Sequence, residues 1–266
     1  QVPEMIQLGD AWKFVDLPRV VDPEKPVVAA ASGIRSALYE VADVPGGGTH
    51  DEAMEAALKA LADFDKANAD ALAGGGEKRE TAGVHLKRVP LLKGVAAAAK
   101  DAEERLNYEK QAVDSLVAAY QTGAWSKGRE TIEGLVKAGG PLGSYASYRL
   151  IGADFVLRNE EPNGNFVANQ KKWMADLEGF LKDFPKSDEA PEVWLQLGSS
   201  NEFNAEEDKA REDYKKLVSD FPETLAGKKA AGALKRLDLE GKPLAIQGTG
   251  ADGSPVDTAA FAGKPV

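Results

Sequence analysis

Apolar residues in the later half of the chain recur with a helical period, and the pattern breaks at prolines. In "VWLQLGSSNEFNAEEDKAREDYKKLVSDFP", Trp194 is followed three residues on by the pair Leu197-Gly198, then by Ala210, by Tyr214 four residues later, and by Pro222. Tyr214, Leu217, Val218 and Phe221 keep the i, i+3, i+4, i+7 spacing of an amphipathic helix. Pro222 ends that helix, because proline lacks an N–H and clashes with the preceding turn. The stretch predicts two helices joined by a short turn. Trp194 and Leu197 share one stripe of the first helix, and Gly198 leaves room for the second to come close.

The same pattern recurs on both sides. A shift of 34 residues from Gly198 reaches Gly232 in "GKKAAGALKRLDLEGK", a predicted helix with Leu234 and Leu237 on one face and Gly241 just past its end. It reads as the first helix of a further unit that caps the stack. Toward the N-terminus, Tyr148, Ile151, Gly152 and Phe155 repeat the offsets of the first helix. Trp173, Leu177, Phe180, Leu181 and Phe184 form its partner, which ends at Pro185. Gly198 to Pro222 spans 24 residues and Gly152 to Pro185 spans 33, so this unit is longer by nine, placed in the polar loop "RNEEPNGN". Leu116, Val117 and Tyr120, with Ile132, Leu135 and Val136, outline an earlier, looser pair.

"THDEAMEAALKALADFDKANADAL" opens on a capping box from Thr49 to Glu52 and keeps helical spacing through Met54, Leu58, Leu61 and Phe64. "LLKGVAAAAKDAEERLNYEKQAVDSLVAAY" reads as helix throughout. Glycine clusters at 46–48 and 74–76 read as loops or linkers. Residues 1–45 carry the weakest pattern, with a short helix expected at Ile34 to Val41. The expected organisation is an N-terminal helical region over 1–92, helical repeats over 93–241, and a β extension over 242–266.

Composition narrows the classes of function. The 43 acidic against 33 basic residues give a net charge of -10, and with no basic patch a nucleic-acid partner is not expected. No apolar run approaches the roughly 18 to 20 residues of a membrane helix, so no transmembrane segment is expected. The chain has no cysteine, so disulfides, thiolate metal sites and cysteine nucleophiles lie outside its chemistry. Starting at Gln1 without a basic and apolar leader, it fits either a mature secreted form or a trimmed chain.

Candidate catalytic motifs have simpler readings. "GTGADG" at Gly248 to Gly253 has the spacing of a dinucleotide loop, but Pro255 and Val256-Asp257 follow where a helix should start, so it reads as a turn. His50 and His85, in helix-start and loop contexts, lack partners at the spacing of a metal or triad motif. "GAWSKGRET" lacks the lysine placement of a phosphate loop. "EEDKARED", which holds Glu206, Glu207 and Asp208, interleaves Lys209 and Arg211 among its carboxylates, as a solvated helix face does. Trp173, Trp194, Tyr148 and Phe155 fall on the helix seams and read as core. No catalytic residue, cofactor or metal is expected in the chain.

Residues 142–239 resemble the tetratricopeptide family, whose unit W-x2-L-G-x2-Y, A-x3-F, P is matched at Trp194, Leu197-Gly198, Ala210, Tyr214 and Pro222, with Asn201 standing where an aromatic is usual. The resemblance implies an all-α fold, a TPR-like superhelix of helical hairpins with a short C-terminal β extension. It also implies a concave face that holds a protein or peptide partner. By position that face comprises Arg149, Ala153 and Val156 from one unit and Glu192, Leu195, Ser199 and Glu202 from the next. Leu195 and Ser199 stand where members that clamp a peptide carboxylate carry Lys and Asn, so the resemblance does not extend to that clamp.

"LEGKPLAIQGTGADGSPVDTAAFAGKPV" resembles the entrance of TlpA-like redoxins, a branch of the thioredoxin superfamily. Leu244, Ile246, Asp252-Gly253, Val256-Asp257, Phe261 and Gly263-Lys264 match in order. That resemblance implies a thioredoxin-like domain in cis whose C-x-x-C follows Val266, and a periplasmic or otherwise extracytoplasmic location. Leu244 to Val266 is expected either as a small hairpin or extended. Two functions stay open: a non-catalytic scaffold serving a thiol-disulfide oxidoreductase, or a stand-alone adaptor of envelope protein assembly with no redox role.

Overall fold

A computed structural model of the chain describes residues 5–8, 11–14, 51–162, 164–239, 242, 247–249 and 253–258. The chain divides into two units, residues 1–43 and 44–266. In the first, strands β1 (Met5–Leu8) and β2 (Ala11–Phe14) pair antiparallel, with Met5 opposite Phe14 and Leu8 opposite Ala11. This hairpin was not anticipated from the sequence. The helix expected at Ile34 to Val41 lies outside the described residues.

The second unit is mostly helical. Its helices are α1 (Glu52–Ala67), α2 (Ala69–Leu72), α3 (Lys78–Ala98), α4 (Ala102–Gln121), α5 (Gly128–Ala138), α6 (Gly140–Glu160), α7 (Phe166–Asp183), α8 (Ala190–Phe203), α9 (Glu207–Asp220) and α10 (Leu225–Leu237). Strands β3 (Gln247–Thr249) and β4 (Pro255–Asp257) follow.

Several helix starts are fixed by a side-chain oxygen accepting from an otherwise orphaned backbone N–H. The Asp51 carboxylate accepts from Met54 at 3.0 Å, Asp101 from Glu103 and Glu104 at 2.9 Å, Asn165 from Ala168 at 3.1 Å, and the Thr224 hydroxyl from Gly227 at 3.0 Å. Two expectations are corrected here. The cap of α1 is Asp51, two residues beyond the expected Thr49, which itself lies outside the described residues. The Ala-rich run read as helix throughout breaks at residues 99–101, where Asp101 starts α4 and sends it back antiparallel along α3. The expected boundary between 92 and 93 falls inside α3, which runs through Pro90 without ending; Leu92 and Val95 on its two sides are both fully buried in one core.

From α4 onward the helices alternate. Each of α5, α7 and α9 packs between two others: α5 against α4 and α6, α7 against α6 and α8, α9 against α8 and α10. The core is therefore a row of clusters rather than one centre. One gathers α1 with α3 to α6, a second holds Leu177, Phe180, Leu181, Val193 and Leu197, and a third holds Ala210, Tyr214, Leu217, Ala230 and Leu237. Trp194 and Phe221 pack against both the second and the third. Trp173, Trp194 and Tyr148 are half-buried against these clusters and Phe155 is buried, as their places on the seams imply.

The two "DFP" phrases adopt one backbone. Phe184 ends α7 at φ -131°, ψ 54°, and Phe221 ends α9 at φ -136°, ψ 50°, each donating its N–H to the carbonyl four residues back. Proline then blocks a further turn in both. Between these helices, Gly198 lies under the ring of Tyr214: a Cβ at this position would meet Cε1 of Tyr214 at 2.5 Å. Any larger residue forces α8 and α9 apart.

At the C-terminal end, β3 and β4 pair antiparallel with Gly248 opposite Val256, and the hairpin is largely exposed. Gly248 sits in β3 and Gly253, at φ 79°, leads into β4, so "GTGADG" spans a hairpin and not a strand-to-helix turn.

Gly198 and Gly232, 34 residues apart, differ in surroundings, since nothing lies within 4 Å of a Cβ added at Gly232. Gly198→Ala is expected to destabilise by about 1–3 kcal/mol through overpacking. Gly232→Ala is expected to stabilise by up to about 1 kcal/mol through helix propensity. Urea denaturation midpoints of the two variants check both signs.

Candidate partner-binding face

Helices α4 and α6 lie side by side, and polar contacts link them to each other and onward to α8 and α10 like rungs. Between α4 and α6, the Tyr145 hydroxyl donates to both oxygens of Asp114 at 2.8 and 2.9 Å, Arg149 lies 3.1 Å from the same carboxylate, and the Tyr120 hydroxyl donates to Asp154 at 2.8 Å. Between α6 and α8, the Ser144 hydroxyl donates to Glu189 at 2.8 Å and Gln196 donates to the Tyr148 hydroxyl at 2.7 Å. Between α8 and α10, Arg236 grips Glu202 with two bonds of 2.6 and 2.8 Å. Tyr120 to Asp154 and Glu202 to Arg236 both bridge 34 residues.

The structure divides the seven residues assigned to the partner face. Ala153 is fully buried in the core and Arg149 is 9% exposed, its guanidinium 5.8 Å from the Tyr145 ring centroid. Neither is accessible to a partner. The cause is the packing of α4 against α6, where Ala119, Ala146 and Ala153 are all without exposed surface. Val156 is half-buried. On α8, Glu192 and Ser199 are exposed, Leu195 is half-buried against the third cluster, and Glu202 is half-buried in its bond with Arg236. An accessible face therefore survives along α8, where Glu192, Leu195, Ser199 and Glu202 fall on one stripe, whereas α6 contributes Val156 alone.

This stripe is fixed from behind by a polar network that the repeat pattern did not reveal. The Tyr214 hydroxyl donates to Glu202 at 3.1 Å and lies 3.3 Å from the Ser199 hydroxyl. Asn201 is buried and donates to Asp213 of α9 at 2.7 Å, so this polar residue is satisfied within the fold. Burial pushes the Asp213 carboxyl up to about 6, with the charges of Glu178 and Glu212 adding to the rise and the Asn201 bond opposing it. Burial likewise pushes the Tyr148 hydroxyl up to about 12, reinforced by Glu192. Asp114 titrates above the usual carboxylate range because burial outweighs the opposing pull of Arg149, Tyr145, Arg88 and Lys110.

The other sequence candidates fall elsewhere. His85, expected in a loop, is buried within α3, and burial together with Arg88 holds its pKa below the ordinary value. His50 lies outside the described residues. In "EEDKARED", Lys209 pairs with Glu206 and Arg211 pairs with Asp238 at 2.5 Å. Among the described residues no group of three or more His, Cys, Asp or Glu side chains could hold a metal ion, and no helix is long and apolar enough to cross a membrane. Comparison of the chain with protein-family models, curated proteins and solved structures finds no match.

The raised Asp213 pKa carries a sign. In the unfolded chain the group ionises near 3.8, whereas in the fold it keeps its proton to about 6. Over that interval the folded state binds more protons, so its stability falls as pH rises through the window and levels off above it. Urea midpoints measured across the window are expected to decline in the parent chain and to flatten in Asp213→Asn. Separately, Arg149→Met is expected to cost roughly 2 kcal/mol, below the loss for a wholly buried pair because Asp114 keeps some access to water; thermal unfolding in the same buffer checks it.

Proposed function

We propose that helices α4 to α10 form a TPR-like helical scaffold that holds an extended segment of a protein or peptide partner along the stripe Glu192, Leu195, Ser199 and Glu202 of α8. The chain itself is non-catalytic in this reading. The observation that carries it is the pair of rungs Tyr120–Asp154 and Glu202–Arg236, each bridging 34 residues, the length of one tetratricopeptide unit. Second helices packed between successive first helices support the same architecture.

The scaffold serves a thioredoxin-like domain in cis, of the TlpA-like redoxin kind, in an extracytoplasmic compartment. This half rests on the resemblance over Leu244 to Lys264, and the pairing of β3 with β4 is compatible with it. Absence of a C-x-x-C soon after Val266 in the natural reading frame removes the redox role and leaves the adaptor.

A photo-crosslinking amino acid tests the stripe. Placed at Glu192 or Ser199 in the native host, it is expected to give discrete adducts with a partner, while the same group at exposed Lys216 on α9 gives none. Equal labelling from both helices, or none from α8, overturns the assignment.

A further inference from the structure

The outer face of α10 is built unlike a solvated cap. Leu225 and Gly232, seven residues apart, lie on one line along the helix, and Leu239 follows in the turn just past its end. Leu225 is 71% and Leu239 42% exposed, and a Cβ added at Gly232 would meet nothing within 4 Å. The buried residues Ala226, Ala230 and Leu237 are on the opposite side, against α9. Lys228, Lys229, Lys235 and Arg236 flank the line. Arg236 is held by Glu202 and Lys228 lies 3.9 Å from Glu223, whereas Lys229 and Lys235 have no ion-pair partner among the described residues. An exposed leucine in line with a helix-weakening glycine, with a second exposed leucine just past the helix end, needs another explanation than solubility.

The chain contains the filled version of this seat. Thirty-four residues earlier, Gly198 occupies the same place on α8 and is covered by the Tyr214 ring of α9, a helix that starts with Glu207 and Asp208. We propose that the outer face of α10 is the docking seat for an acidic, amphipathic helix of a partner protein. That helix lays an aromatic side chain on Gly232, its apolar residues between Leu225 and Leu239, and its carboxylates against Lys228, Lys229 and Lys235. Charge decides against a second copy: two α10 faces brought together oppose lysine to lysine. The seat stands on the geometry of α8 to α10 and is independent of what the α8 stripe holds, so loss of either leaves the other intact.

The test uses the whole chain and a fluorescein-labelled peptide of its own residues 206–221, the helix that fills the Gly198 seat. Saturable binding is expected in fluorescence anisotropy, weakening as salt is raised because the charges are exposed. Gly232→Phe, which fills the seat, is expected to abolish it, and the pair Lys229→Glu with Lys235→Glu to weaken it at least about tenfold. A peptide carrying Tyr214→Ala is expected to lose binding to the unaltered chain. Gly232 has open space around it, so unchanged circular dichroism of Gly232→Phe confirms that its fold is kept. No saturable binding, or binding indifferent to both sets of substitutions, overturns the proposal. So does sedimentation showing self-association that Gly232→Phe removes, which assigns the face to a second copy.

Discussion

The contact between Gly198 and Tyr214 sets the spacing on which the last three helices depend. An aromatic ring pressed onto a bare backbone brings α8 and α9 close enough for Asn201 to reach Asp213 and for the Tyr214 hydroxyl to reach Glu202. Glu202, held from α9, is in turn the carboxylate that Arg236 grips from α10. One steric allowance thus positions a polar chain across three helices. Dispersion and burial supply the attraction, but the missing Cβ decides where it acts.

The polar rungs between successive helices have a different role from the apolar clusters. A chain without cysteine has no covalent staple, and a row of small cores could slide by a turn of helix at little loss of burial. Contacts such as Tyr145 with Asp114, or Ser144 with Glu189, are satisfied in a single register, and a slip leaves a buried polar group without a partner.

The helical half of the fold was legible because its signals are local. Apolar spacing and the prolines at 185 and 222 marked helices and ends, and the echo of the two "DFP" phrases corresponds to a shared backbone turn. What the sequence hid depended on contacts across the fold. Asp101 divides the Ala-rich run into α3 and α4, yet nothing in that run's periodicity distinguishes a turn from continued helix. Ala153 and Arg149 were placed on an open face by repeat position, and the packing of α4 against α6 closes that face. Of the β1–β2 hairpin only the Gly9-Asp10 dipeptide between short apolar stretches is a cue, and four-residue strands carry too few alternations to announce themselves. On the α8 stripe, Glu192 and Ser199 were legible from position, whereas Arg236 as the partner of Glu202 was legible only to a reader who compared residues 34 apart.

Trp194 and Phe221 each touch two of the three clusters, so neighbouring cores share side chains where a simple row would keep them apart. A strictly modular stack can fray one unit at a time. Here, loosening the α9–α10 cluster withdraws support from the indole that also rests on the α7–α8 core. Fraying of the C-terminal cluster therefore also removes packing from the core that α7 and α8 share.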